Sequence, residues 1–300
     1  DVLKNENIDF ENISIIKVDF ENKKLFTKND DFYSYDSLLI STGSENKKLS
    51  LDNNLNDDIY YLRNLEEAKT IKEKVSNKNK ITIIGGGFIG LEIASSLSQL
   101  QKKVTVIEIG SQLMGRIIPK QIADLVQKTH IEYGNEIILN KQIDKIIKKN
   151  GIYEILLNDN SLIETDFLIA GIGSAPSVKL FENTNLKLNN GIVTNEFCQT
   201  SITNVYASGD VANFFHPFYG SHMRLESFKH AQNHGINAGK NIMNVKTSYT
   251  EIPWMWSDQF NLNLQMTGIC NDFDSFVQRG NDVKSGVIYF FLKNRKILGA

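Results

Sequence analysis

The clearest chemical signal in this chain is a glycine-rich turn, Gly85-Gly86-Gly87-Phe88-Ile89-Gly90, that follows the β-branched run Ile81-Thr82-Ile83-Ile84. A helical stretch occupies residues 91–100, and a second β-branched run, residues 104–107, ends in Glu108, 18 residues after Gly90. GxGxxG between a strand and a helix, with an acid closing the next strand, is the pattern of a βαβ unit that binds a dinucleotide. Gly85 permits the tight turn, Gly87 lets the backbone approach a pyrophosphate, and Gly90 lets helix and strand pack closely. The first turn of the helix, entered through Phe88 and Ile89, offers unpaired N–H groups and a positive dipole end to the phosphates. Glu108 can accept both hydroxyls of an adenosine ribose and would repel a 2′-phosphate, so the pattern predicts NAD in preference to NADP. Arg116 could reach a phosphate, although a solvated arginine is the simpler reading.

A second constellation closes the strand Val205-Tyr206-Ala207-Ser208 with Gly209-Asp210. An aspartate there can accept from a sugar hydroxyl, and a helix starting at Val211 would turn its N–H groups toward a phosphate. Gly-Asp also makes ordinary turns and N-caps.

The elements that must hold these groups are legible in outline. Short strands at residues 13–18, 24–28, 32–35 and 37–41 form a small β-meander that ends in Ser41-Thr42-Gly43. Residues 44–58 read as a connection and residues 62–75 as a polar helix. Past Glu108, Pro119 opens a helix carrying Ile122, Leu125 and Val126, which Gly134 closes. Strands follow at 136–139, 143–148 and 152–157, with Asn150-Gly151 predicting a type I′ hairpin. Residues 161–164 add a further strand. A buried strand, 166–170, then opens into Gly171-Ile172-Gly173. An amphipathic helix is expected from Ser227 to Met243, and short strands and turns from Trp254 onward.

With 41% hydrophobic and 23% charged residues in 300, the chain reads as a soluble globular protein long enough for two domains. A net charge of −2 gives no electrostatic case for nucleic acid or an anionic membrane, and no apolar run approaches a membrane span. Cys198 and Cys270 form no CxxC or metal spacing and read as unpaired buried thiols, which fits a reducing, cytoplasmic compartment. His216, His222, His230 and His234 read as solvated or hydrogen-bonded side chains, since Ala231 stands where a zinc helix would carry Glu. No metal is expected. The lysine-rich stretches 69–80 and 141–149 read as solvated faces, with docking of an acidic protein as the minority reading.

Taken in order, Ser41-Thr42-Gly43, the GxGxxG unit, Gly171-Ile172-Gly173, Tyr206-Ala207-Ser208-Gly209-Asp210, Arg224-Leu225-Glu226-Ser227 and Trp256-Ser257-Asp258-Gln259 closely resemble the FAD-dependent pyridine-nucleotide oxidoreductases. Within them the chain is similar to the ferredoxin, rubredoxin and putidaredoxin reductase branch. Pro253-Trp254-Met255-Trp256-Ser257-Asp258-Gln259 is the most branch-specific piece.

The resemblance implies an α/β fold of tandem Rossmann-like domains, an NAD(P) domain at 47–173 inserted in an FAD domain at 1–46 and 174–247. The start of an α+β interface domain would occupy 248–300. It places Thr42 and Gly43 at the crossing between the two dinucleotide domains, Ile16 near the adenine, Arg63 near the FAD phosphates and Asp210, after Gly209, at the ribitol. Glu226, Ser227 and Phe228 would lie by the isoalloxazine with Trp256 and Ser257, and the Gly171-Ile172-Gly173 loop would serve the NAD site. Glu92 would lie toward the nicotinamide, so Glu92 and Trp256 are expected nearest the chemistry.

The implied activity is hydride transfer from NADH to FAD, then single electrons to a small iron–sulfur carrier of ferredoxin type or to a rubredoxin. A disulfide- or peroxide-type reductase, or a redox flavoprotein similar to apoptosis-inducing factor, are the alternatives. Oligomeric state stays open. His234 replaces a more usual glutamine and Ser41 an alanine. The family's first FAD-binding GxGxxG belongs upstream of Asp1, and the interface domain stops short at Ala300. The expectation is therefore an internal fragment that binds NADH but holds FAD weakly.

Overall fold

The computed structural model describes residues 8–50, 55–115, 117–281 and 283–300. Arg116 lies outside them. The chain divides into two compact units: Asp1–Ser44 with Pro176–Glu251, and Glu45–Ala175 with Ile252–Ala300.

The second unit is built on a five-stranded parallel sheet in the order Ile59–Tyr60, Phe167–Ala170, Lys80–Ile84, Lys103–Ile107, Glu136–Ile138. Both faces are buried, which is why Phe167–Ala170 and most of Lys80–Ile84 are apolar at every position. Side chains alternate between two cores. Ile81, Ile83, Val104, Val106, Phe167 and Ile169 meet one side, packed with Leu91, Ala94 and Leu97 of the helix Phe88–Gln99 and Val126 of the helix Lys120–Glu132. Ile84, Ile107, Leu168 and Ala170 meet the other, under Ile146, Tyr153, Ile155 and Leu157. Those last four belong to an antiparallel meander, Ile143–Lys149, Ile152–Leu157 and Leu162–Thr165. Its first hairpin turns through Asn150 and Gly151, both at positive φ (51° and 82°), as a type I′ turn requires.

Helix α1 is Leu65–Val75, α2 is Phe88–Gln99 and α3 is Lys120–Glu132. Helix α1 begins three residues later than its hydrophobic spacing suggests. Asn64 accepts the Glu67 backbone N–H and Glu67 reaches back to Asn64, a capping box that fixes the start there. Leu91 of α2 is fully buried, and truncating it to Ala would cost about 2–5 kcal/mol. The hairpin Trp254–Gln259 and Leu262–Thr267 also belongs to this unit, as does the antiparallel sheet Ser275–Arg279, Ile288–Lys293, Lys296–Gly299.

The first unit opens with the antiparallel sheet Ile15–Asp19, Lys24–Thr27, Phe32–Ser34. Leu38–Ile40 pairs parallel with Val205–Ala207, and Ile192–Thr194, Ala212–His216 and Ser221–Met223 form a third sheet. Helix α4, Phe228–Ile242, starts where Ser227 accepts the His230 N–H. The helix expected from Val211 does not form. Gly209–Val211 is a single 3-10 turn, and the chain continues as the strand Ala212–His216, whose Ala212 joins the core with Ile192 and Val205 while its Phe214 is fully buried against His230, His234 and Tyr249. Among the described residues no helix is long and apolar enough to cross a membrane.

Candidate functional site

In the parallel sheet the chain runs outward from Lys80–Ile84 through Lys103–Ile107 to Glu136–Ile138, then returns to the opposite side of the first strand as Phe167–Ala170. The strand order reverses between Lys80–Ile84 and Phe167–Ala170. Ligands of open α/β sheets bind beyond the carboxyl ends of the strands at such a switch point. Gly85–Gly90 and Gly171–Gly173 are the two loops that leave the sheet there.

The turn is closed by its own backbone. The Gly85 N–H donates to Ile107 O and the Gly171 N–H to Ile84 O, each at 2.8 Å. At Gly85, φ is +104° and a Cβ would stand 2.4 Å from Gly171 O; at Gly90 a Cβ would stand 2.3 Å from Gly85 O. Neither position admits a side chain. Gly87 differs, because a Cβ there would find only Gly171 O, at 3.9 Å. That opening lies beside the N-terminus of α2, whose first N–H groups have no side-chain cap. A gap over uncapped N–H groups fits a pyrophosphate.

Glu108 follows the strand Lys103–Ile107 and is half-buried. Its Oε2 accepts the Gly86 N–H and its Oε1 the Gly110 N–H, both at 2.7 Å. These are charge-assisted bonds that hold the carboxylate in one orientation against the turn. Each carboxylate oxygen has a second acceptor direction, so the group retains capacity for two ribose hydroxyls. This arrangement of acceptors therefore fits the adenosine half of NAD.

Glu92 lies one turn into α2, half-buried. Its Oε1 accepts the Ser257 hydroxyl at 2.6 Å, which ties the branch-specific strand Trp254–Gln259 to the fingerprint helix. Strand alternation decides the rest: Ser257 and Gln259 turn inward and are buried, whereas Trp254 and Trp256 stand exposed, stacked with centroids 5.3 Å apart. Trp256 is thus not a core aromatic. The Ile172 side chain between Gly171 and Gly173 packs on the core beneath the meander.

In the first unit, parallel pairing of Leu38–Ile40 with Val205–Ala207 brings the two following loops to one edge. Ser41 and Ser208 hydroxyls are 2.9 Å apart, and Ser44 donates to Asp210 Oδ2 at 3.0 Å. Thr42 donates its hydroxyl to Ser177 O at 2.9 Å; Gly43 has φ +69°, and a Cβ on it would meet no atom within 4 Å. Arg224 reaches the Asp210 carbonyl and pairs with Glu226, so the segment before Ser227 and Phe228 is held beside Asp210. An open backbone edge flanked by a carboxylate and hydroxyls fits the sugar-alcohol part of a flavin cofactor. Ile16 is exposed on Ile15–Asp19, and Arg63 is exposed in the other unit, its backbone N–H bonded to Glu67.

Of the four histidines, His222 is exposed, whereas His216, His230 and His234 are buried and hydrogen-bonded, His216 through Nε2 at 3.1 Å from Glu251 O. They pack with Phe214 and Tyr249, with ring centroids 4.7–6.5 Å apart where they meet. His230 Nδ1 lies 3.0 Å from Tyr249 Oη and His234 Nδ1 accepts the Gly209 N–H at 3.2 Å. Burial lowers the His230 pKa to about 4, and burial with the neighbouring His230 takes His234 well down. Cys198 and Cys270 are unpaired and buried; burial pushes the Cys198 thiol up to about 11. Among the described residues no cluster of His, Cys, Asp or Glu could hold a metal ion.

Residues 2–235 match the family described as pyridine nucleotide-disulphide oxidoreductase, and residues 254–300 match a reductase C-terminal family. The chain belongs to the pyridine nucleotide-disulphide oxidoreductases. It is 32% identical over 267 residues to a rubredoxin-NAD(+) reductase of Ectopseudomonas oleovorans, covering 89% of this chain and 69% of the relative. Its fold matches the ferredoxin reductase for the CYP199A2 system from Rhodopseudomonas palustris at a TM-score of 0.96, with 26% identity, over 99% of this chain and 74% of that one. A putidaredoxin reductase, solved as a covalent complex with putidaredoxin, matches at 0.93 with 26% identity, over 100% of this chain and 73% of that one.

Sequence reasoning missed His130 and Asn135, and gave Gln259 no role of its own. His130 Nε2 lies 2.9 Å from Gln259 Oε1, and His130 Nδ1 lies 3.0 Å from the Asn135 amide nitrogen. The available signal was a polar residue on the buried stripe of α3, since His130 falls four positions after the core residue Val126.

Proposed function

We propose that the protein is an FAD-dependent NADH oxidoreductase that passes electrons singly to a small iron–sulfur carrier or a rubredoxin. The observation that carries this reading is the Ser257–Glu92 hydrogen bond, which fastens the branch-specific Trp254–Gln259 strand to the helix of the NAD fingerprint. When bound, the two cofactors supply the hydride and single-electron chemistry. The chain's own residues do the holding: the Gly85–Gly90 turn and the N-terminus of α2 bind the NAD pyrophosphate, and Glu108 binds the adenosine ribose and selects against a 2′-phosphate. Glu92 orients the nicotinamide. Thr42, Gly43, Gly209 and Asp210 hold the flavin's sugar-alcohol chain, with Glu226, Ser227 and Phe228 bordering its ring and Trp256 assigned to the hydride-transfer step. Ile16 and Arg63 are assigned to its adenine and phosphates.

The domain reading is an FAD domain in two parts and an inserted NAD domain, followed by an interface domain. The relatives named for rubredoxin and ferredoxin support the acceptor class. Two buried, unpaired thiols support a reducing, cytoplasmic compartment.

A disulfide- or peroxide-type reductase is the second reading. The Trp256-Ser257-Asp258-Gln259 stretch, inside the segment that matches the reductase C-terminal family, speaks against it. NADH oxidation by the full-length protein, assayed with a rubredoxin, a ferredoxin, a disulfide and a peroxide as acceptors, tests the proposal. Turnover confined to the first two supports it. Turnover confined to disulfide or peroxide, or no turnover, contradicts it.

A further inference from the structure

We infer that Ser257, Gln259 and His130 form a hydrogen-bonded relay that positions the Glu92 carboxylate by fixing the direction in which the Ser257 hydroxyl donates, an inference that rests on reading Glu92 as the residue beside the nicotinamide. The relay begins at the end of α3. Gly134, at φ +88°, ends the helix, and the Asn135 N–H donates back to His130 O at 3.0 Å, which sets the Asn135 side chain beside the imidazole.

The direction of every bond then follows from donor chemistry. The Asn135 amide nitrogen has only hydrogens to offer, so His130 Nδ1 accepts and the ring proton sits on Nε2. His130 Nε2–H donates to Gln259 Oε1 at 2.9 Å. The other end of the same amide donates to Ser257 Oγ at 2.9 Å. Ser257 has one proton, and with its oxygen already accepting, that proton goes to Glu92 Oε1 at 2.6 Å. Asn135, His130, Gln259 and Ser257 are all buried, so no water competes for these positions. Burial also lowers the His130 pKa, so the ring is neutral near pH 7 and places no second charge in the relay.

The relay is not what docks the hairpin. The Phe260 N–H donates to Ser95 Oγ at 2.6 Å and the Phe260 ring stacks on Tyr133 with centroids 4.0 Å apart. Those contacts hold the strand on α2 and α3 independently. What the relay adds is orientation: a half-buried carboxylate, otherwise able to rotate, is held by a hydroxyl whose own hydrogen-bond sense is dictated from the interior.

The test is binding, not turnover, in the full-length flavoprotein. Dissociation constants for NADH and for ADP-ribose, which lacks the nicotinamide, are measured by titration alongside thermal midpoints. Ser257→Ala and Gln259→Met should each weaken NADH roughly tenfold and leave ADP-ribose within about twofold, and Ser257→Thr should restore NADH affinity. Glu92→Gln should show the same selective loss. If Glu92→Gln separates the two ligands but Gln259→Met and Ser257→Ala do not, the relay is wrong and the reading of Glu92 stands. If Glu92→Gln leaves the ratio unchanged, both fall. Equal loss of NADH and ADP-ribose in the relay variants marks a packing role and also overturns it. Should Gln259→Met fail to fold, Ser257→Ala against Ser257→Thr decides alone.

Discussion

The Glu108 carboxylate accepts the backbone N–H of Gly86 at 2.7 Å, so the acid that closes the second strand is tied to the glycine turn that closes the first. Its two jobs separate experimentally. Glu108→Ala should weaken NADH by an amount worth about 1–3 kcal/mol while NADPH binding changes less or improves. The Gly86 and Gly110 N–H groups lose an acceptor in both cases, so stability should also fall by about 1–2 kcal/mol. Titration with both cofactors and a melting curve check the pair of outcomes.

The glycines of the turn predict opposite results from one substitution. Gly90→Ala puts a methyl group 2.3 Å from Gly85 O, and the protein should fold poorly or not at all. Gly87→Ala meets nothing closer than 3.9 Å at an ordinary φ of −83°. It should keep its stability within about 0.5 kcal/mol and lose NADH affinity, because the methyl fills the opening a pyrophosphate would use. Unchanged affinity in a folded Gly87→Ala protein would make the turn a structural one only.

Local signals carried most of the architecture into the sequence. Asn150-Gly151 fixed a turn type, Ser227 announced α4 within one residue, and the apolar run before Gly171 matched a strand buried on both faces. Val211 failed as a helix start because Ala212, Phe214 and their sheet neighbours outweigh the local Gly-Asp signal. At the site, the fingerprint and Glu108 are contiguous enough to read, whereas Glu92–Ser257 spans 165 residues and His130–Gln259 spans 129. No periodicity reports on partners so far apart, and a histidine on a helix stripe looks the same whether or not a glutamine waits opposite it.

Acid should destabilise the first unit in a defined window. An unfolded His230 takes its proton near 6.5 and the folded one resists until about 4, so the unfolded state binds more protons in between. The contribution is complete above about pH 6.5 and falls away toward about pH 4, by roughly 3 kcal/mol for His230, with His234 acting in the same direction. Thermal midpoints taken across that range should drop, and His234→Gln, which keeps an acceptor for the Gly209 N–H but cannot titrate, should drop less. A flat profile would contradict the neutral buried imidazoles.

Asp210 and Trp256 should separate cofactor retention from its reduction. Asp210→Ala removes the acceptor of the Ser44 hydroxyl and is expected to lower the flavin content of the purified full-length protein. Trp256→Ala should retain flavin yet be reduced more slowly by NADH. Full flavin content in the first variant, measured against protein concentration, would count against the assignment of Asp210.

The most direct measurement is rapid mixing of the full-length, flavin-loaded protein with NADH and, separately, NADPH in the absence of oxygen, followed by addition of a rubredoxin or ferredoxin. The account predicts fast bleaching of the yellow flavin by NADH, much slower bleaching by NADPH, and recovery of colour as the carrier is reduced at two molecules per NADH. Faster bleaching by NADPH, or colour that returns only with a disulfide or a peroxide, would contradict it.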